Sequence, residues 1–205
     1  MPPPAAGPSD GPSDGSGAGS AAGPGDAARA VARALARRPE RESGPRVVAL
    51  DGPSGSGKTS LAAALLPLLG PGARVLHLDD LYPGWDGLDP VVPLLVSGVL
   101  EPLAAGRPGA APRWDWARDR PGEPLVVPAA DVLVVEGAGS GSRACAPHLA
   151  LLVWLETPAA LRRARALARD GEAYRPHWQR WAAQERRHFA REGTRERADL
   201  VLDTG

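Results

Sequence analysis

The chain has 205 residues and equal numbers of acidic and basic side chains, 24 of each, so no net field draws it towards nucleic acid or an anionic membrane. Its one cysteine, Cys145, excludes an intrachain disulfide and argues against a cysteine-based zinc site, which leaves the thiol as a small packing residue rather than a nucleophile. No stretch approaches the ~18 uninterrupted apolar residues needed to span a bilayer, and the N-terminus lacks the basic start and apolar run of a secretory leader, so the expected location is cytoplasmic.

Residues 1–25 are almost wholly Pro, Ala, Gly, Ser and Asp, with too little apolar surface to offset the entropy of ordering. They are predicted to form a disordered tail, and 26–205 a single domain. An amphipathic helix over 26–38 opens that domain. The β-branched run 46–51 reads as a buried strand, and 60–69 begins as a good helix former. Between them lies Gly52-Pro53-Ser54-Gly55-Ser56-Gly57-Lys58-Thr59, a complete G-x-x-x-x-G-K-[ST] phosphate loop, in the strand–loop–helix order that the motif requires.

The chemistry follows from those residue types. Gly52, Gly55 and Gly57 let the backbone wrap closely around an anion, so that the N–H groups of the loop, including those of Ser54, Ser56 and Ser60 at the helix start, face phosphate. Lys58 is the only lysine among the 24 basic residues. A compact ammonium reaches between β- and γ-phosphates where a planar guanidinium does not. The Thr59 hydroxyl is the expected ligand for Mg²⁺, and the bound nucleotide is expected to be ATP.

Residues 74–78 form the next predicted strand, ending at Asp79-Asp80. Successive side chains on a strand point to opposite faces, so one aspartate faces the site; Asp79 is the preferred general base, ahead of Asp80. A helix is expected over 90–105 despite Pro93, and 125–127 as a short edge strand. The apolar strand 131–135 runs into Glu136, whose carboxylate is placed to organise the metal's water shell. A further strand, 149–155, carries Trp154 as a core residue. The helix at 158–169 sets Arg162, Arg165 and Arg169 at i, i+3 and i+7 on one face, and the row breaks at Asp170-Gly171, which suggests a lid over 162–175 that closes on phosphate. Helix 175–191 and strand 198–202 complete the chain. Alternating apolar strands and helices call for a parallel sheet covered on both faces.

Two features of composition remain. Between 161 and 197 there are 11 arginines against five acids, and this excess must meet solvent or phosphate. Six tryptophans accompany one Phe and two Tyr. Trp85, Trp114 and Trp116 flank acids in predicted loops, where an indole face suits a base or sugar as well as a core.

The loop at 52–59, Asp79-Asp80-Leu81-Tyr82, Trp114-Asp115-Trp116, the segment Ala130-Asp131-Val132-Leu133-Val134-Val135-Glu136-Gly137, the arginines from 162 to 169 and Thr194-Arg195-Glu196-Arg197-Ala198-Asp199 resemble, in order and spacing, the motifs of the uridine kinase family. That family is related to phosphoribulokinase and bacterial pantothenate kinase. The resemblance covers about residues 46–203. It implies a P-loop NTPase three-layer α/β sandwich with a five-stranded parallel sheet, and transfer of the ATP γ-phosphate to a small-molecule hydroxyl, with a nucleoside as one acceptor class. By position, Asp79 matches the catalytic aspartate, Glu136 the acid after the third core strand, and Arg162, Arg165 and Arg169 the lid arginines. Trp114-Asp115 matches the aromatic-acid pair of the nucleoside pocket, with Asp80, Tyr82 and Trp85 beside it on the acceptor side.

The departures fall on that acceptor side. Tyr82 is followed almost at once by Pro83-Gly84-Trp85-Asp86, the histidine expected a few residues after Trp114-Asp115 is absent, and the lid lacks Arg-Gly-Arg. Two other readings stand beside the leading one: a nucleotide-binding regulatory module without kinase activity, and a nucleoside monophosphate kinase like the cytidylate kinases, which share the phrase Leu50-Asp51-Gly52-Pro53-Ser54-Gly55. The absence of an [NT]-K-x-D element argues against a GTPase switch. The expected partner is a small hydroxylated molecule, with no nucleic acid or membrane, and the oligomeric state is open.

Overall fold

The computed structural model describes residues 23–205, apart from the side chains of Asp170, Glu172 and Ala173. The expected tail lies almost wholly outside the described residues. Helix α1, Pro24–Ala36, begins with proline at its first position, where a missing N–H costs nothing. It buries Ala27, Ala28, Val31 and Leu35, one face at helical spacing.

Five strands form one sheet: β1 (Arg46–Asp51), β2 (Ala73–His77), β5 (Val132–Glu136), β6 (Leu149–Glu156) and β7 (Leu200–Asp203). Their order across the sheet is β2-β5-β1-β6-β7, and every pairing is parallel. Strand alternation splits the apolar residues between two layers. Val48, Leu50, Val132, Val134, Leu151 and Val153 pack with α1 and with α2, Lys58–Leu65. Val47, Leu133 and Val135 face the other way. There they meet α3 (Leu88–Leu95), α4 (Glu101–Ala104) and residues of α6 (Trp178–Glu192). Both faces are covered, so β1 and β5 are buried along almost their whole length.

The helix predicted over 90–105 is present but not uniform: α3 and α4 are joined by a π-turn at Val96–Leu100. The edge strand predicted at 125–127 needs correction. Those residues end β4 (Arg120–Val127), which pairs antiparallel with β3 (Gly109–Asp115) in a hairpin separate from the main sheet. Most of β3 and β4 is Pro, Gly, Ala, Arg and Glu, so only its last three residues had strand character. The hairpin is fixed instead by its turn. Asp115 Oδ1 accepts from the Ala117 and Arg118 N–H groups, and Asp119 takes the left-handed conformation at φ 48°.

Helix α5, Ala159–Tyr174, is interrupted at Gly171, the position of the predicted break. A chain of polar groups ties α6 to the loop after β5 and to the start of α3. Ser142 Oγ lies 3.0 Å from His188 Nε2, and His188 Nδ1 lies 2.6 Å from Asp89 at the start of α3. Arg191, which donates to the same carboxylate, and then His188 hold Asp89 down to about 2. A depressed carboxyl stabilises the fold above its unfolded pKa and loses that effect as pH falls through the folded value. Asp89→Asn should therefore lower Tm at pH 6, with the gap from the parent chain closing as pH approaches about 2. Thermal melts across that range check this; a gap that stays constant would show that the charge is not what stabilises.

Candidate active site

Parallel register brings the carboxyl ends of β1, β2 and β5 to one edge: Leu50 and His77 both pair with Glu136. Ligands of open α/β sheets bind outside such an edge. The phosphate loop leaves β1 here. Gly52 sits at φ 142°, and a Cβ there would lie 2.3 Å from the Leu155 carbonyl oxygen, so the loop's first position admits only glycine.

Beneath the loop, fully buried Asp51 accepts hydrogen bonds from the N–H groups of Gly52 (2.7 Å), Gly139 (3.0 Å) and Gly141 (2.9 Å). Burial pushes its carboxyl up from the usual range, opposed by those N–H groups and by Lys58. Asp51→Ala would strand three buried donors and is expected to cost about 3 kcal/mol, measurable by urea unfolding. A loss below about 1 kcal/mol would mean that the loop after β5 holds the phosphate loop without it.

Lys58 is nearly buried, and its Nζ donates to the carbonyls of Gly52 (2.7 Å) and Pro53 (3.1 Å). Thr59 Oγ1 donates to Glu136 Oε1 at 3.1 Å, and His77 Nδ1 contacts the same oxygen at 2.7 Å. Burial raises the Glu136 pKa, but His77, Lys58 and Thr59 together outweigh it and leave the carboxyl below its usual value. A hydroxyl and an ionised carboxylate at this spacing suit a hard cation whose other ligands are phosphate oxygens and water. Among the described residues no group of three His, Cys, Asp or Glu side chains could hold a metal by itself.

A cavity of about 1010 Å³ opens above the loop. Ser54, Gly55, Gly57, Lys58, Thr59 and Ser60 line it, while Gly52 and Ser56 are buried below. Asp79, Asp80 and Tyr82 line it too, following β2 in a 3-10 turn. The two aspartates differ in their surroundings. Arg113 on the hairpin donates to Asp80 Oδ1 through Nε (3.0 Å) and Nη2 (2.8 Å), whereas the exposed Asp79 has its carbonyl bonded by Trp116 Nε1 at 2.8 Å.

Trp85 and Trp116 reach the cavity, but Trp114 and Asp115 are not among the residues that line it. Trp114 sits against Gly84 with its Nε1 buried and unpartnered, and Asp115 shapes the hairpin turn and pairs with Arg118. The indole facing the cavity from the hairpin is Trp116. Trp85 stacks on His177 with centroids 4.1 Å apart and 9° between planes, so one of its faces is already covered.

The three arginines of the expected lid also separate. Arg165 and Arg169 line the cavity, and Arg165 Nη1 donates to the Thr204 carbonyl at 2.8 Å. Arg162 instead braces the phosphate loop from outside, donating to the carbonyls of Ser54 and Thr157, each at 3.1 Å.

Other site residues escaped the sequence reading. Glu185 of α6, 3% exposed, accepts from the Ser54 N–H at 2.6 Å and from Trp181 Nε1 at 2.9 Å, which ties α6 to the loop. Trp181 and Glu185 lie four residues apart on a helix that was predicted, yet helical spacing does not say which element a face will meet. His77 was visible only as the polar member of a strand. Burial pushes the Cys145 thiol up to about 12, in keeping with a packing residue.

No protein-family model matches the chain, and no curated protein sequence matches it. Solved structures do. A possible uridine kinase from Bacillus stearothermophilus is similar at TM-score 0.63 and 22% identity, covering 87% of this chain and 98% of that one. A putative fructose transport system kinase from Silicibacter sp. is similar at TM-score 0.56 and 23% identity, over 85% and 98%. D-glycerate 3-kinase from Cryptococcus neoformans is similar at 0.51 and 15%, over 80% and 87%. With its five-stranded parallel sheet, strand order and phosphate loop, the chain has the fold of the P-loop kinases of the phosphoribulokinase and uridine kinase type.

Proposed function

We propose that this protein is an ATP-dependent phosphotransferase that moves the γ-phosphate to a hydroxyl of a small molecule. The observation that carries the reading is a single cavity lined by both Lys58 and Thr59 of the phosphate loop and by Asp79. A module that only binds nucleotide has no use for a second-strand carboxylate facing its phosphates.

In this reading the loop N–H groups and the N-terminus of α2 hold the phosphates, and Lys58 leaves its two carbonyls to bridge β- and γ-phosphate oxygens. Thr59, with Glu136 acting through bound water, would hold Mg²⁺, which supplies charge neutralisation for the phosphates. Asp79 accepts the proton of the acceptor hydroxyl as its oxygen bonds to the γ-phosphorus. The bond from that phosphorus to the β–γ bridging oxygen breaks, and ADP leaves. Arg165 and Arg169 place positive charge beside the transferring group.

The acceptor we favour is a hydroxylated ring of sugar or nucleoside size, supported by the Trp116 indole that lines the cavity beside Asp79. The fold does not choose among such acceptors: the names of the three similar structures refer to a nucleoside, a sugar and a sugar acid. The test is ATP consumption with Mg²⁺ against nucleosides, nucleoside monophosphates, pantothenate and simple sugars, with mass detection of the product. One added phosphate on a sugar or nucleoside is expected. A nucleoside diphosphate as product would favour the cytidylate kinase reading, and ATP binding without acceptor-dependent turnover across the panel would favour a regulatory module.

A further inference from the structure

The arginine excess after residue 161 is only partly absorbed by the lid. Arg186, Arg195 and Arg197, joined by Arg143 from the loop after β5, converge on a second groove of about 620 Å³ that shares no lining residue with the phosphate-loop cavity. Three separate elements supply these groups: that loop, α6, and the short helix α7, Thr194–Arg197. The floor is apolar, formed by Trp154 and Phe189, which meet edge to face at 4.7 Å, with Ala190 and Gly193 beside them.

The guanidiniums are unevenly neutralised. Arg195 pairs with Glu156, and Arg197 donates to the carbonyls of Glu192 and Gly141. Neither Arg143 nor Arg186 has a carboxylate within ion-pair distance among the described residues, and Glu196 is the one acid lining the groove. Like charges gathered over low-dielectric walls repel one another unless an anion joins them. Guanidinium forks match phosphate oxygens in pairs, and an aromatic floor suits a flat or apolar substituent.

We propose that this groove is a second anion site that binds the phosphate group of a small organic phosphate, with the organic part resting on Trp154 and Phe189. It is independent of the phosphate loop and of the kinase reading. Arg143 and Arg186 grip the phosphate; Arg195 closes the rim. Arg197 also braces Gly141, so it is left intact in the test.

Phenyl phosphate is titrated calorimetrically into the full-length Lys58→Ala chain, in which the phosphate loop is disabled. One saturable site is expected, tighter for phenyl phosphate than for inorganic phosphate. Adding Arg143→Ser and Arg186→Ser should weaken it about tenfold or more. Both side chains are exposed, so the fold should survive, which circular dichroism checks. A matched loss of two charges on α1, Arg29→Ser with Arg33→Ser, should leave the affinity unchanged. The proposal is overturned by absence of saturable binding to the Lys58→Ala chain, by equal affinity after the groove substitutions, or by an equal loss from the α1 control.

Discussion

Lys58→Ala should bind Mg²⁺–ATP about a hundredfold more weakly than the parent chain, a loss of ~3 kcal/mol typical of charge-assisted contacts to phosphate in a water-poor site. The expectation rests on geometry as much as motif. Lys58 Nζ is held by two loop carbonyls, and the residue lines the cavity together with the loop. Lys58→Arg should not restore binding, because a planar fork cannot replace a point charge within so tight a loop. Calorimetry with Mg²⁺–ATP decides it. Parent-like affinity in Lys58→Ala would remove the phosphate loop from the mechanism.

Asp79→Asn should lower kcat by about a thousandfold while leaving ATP affinity within about threefold, the pattern expected when a general base is lost and nucleotide contacts are kept. Asp80→Asn should act differently. Its carboxylate is held by two donors of Arg113, so the substitution weakens the tie between β2 and the hairpin and should show mainly in acceptor KM. Steady-state kinetics on both variants separates the two aspartates. Full turnover in Asp79→Asn would exclude it as the base, and a larger kcat loss in Asp80→Asn would exchange the roles.

Much of the phosphate end of this site is local in the chain, and therefore legible. Gly52 to Thr59 is one continuous segment whose conformation follows from glycine positions and from the strand and helix on either side. Glu136 ends β5 and Asp79 lies two residues past β2, so predicting the strands placed the acids. The acceptor end is not local. Trp114 and Trp116 are two residues apart, and which one faces the cavity depends on a hairpin whose strands have little strand propensity and whose turn is set by Asp115 and Asp119. Arg162, Arg165 and Arg169 share a helical face, yet Arg162 braces the loop while Arg165 and Arg169 line the cavity, because the N-terminus of α5 packs against Gly55.

Residues chosen by distant packing left no trace in the pattern. Glu185 reaches the Ser54 amide across 131 positions, and Asp51 collects N–H groups from a loop some 90 residues away. By itself the sequence determined the layered α/β plan, the phosphate loop and the carboxylates at the sheet edge, because these depend on period, strand ends and glycine placement within short windows. The tertiary structure alone decided which tryptophan faces the cavity, that Arg113 of the hairpin pairs with Asp80, and where the remaining arginines converge. Those outcomes depend on which faces of separate elements meet, and a linear pattern does not encode that pairing.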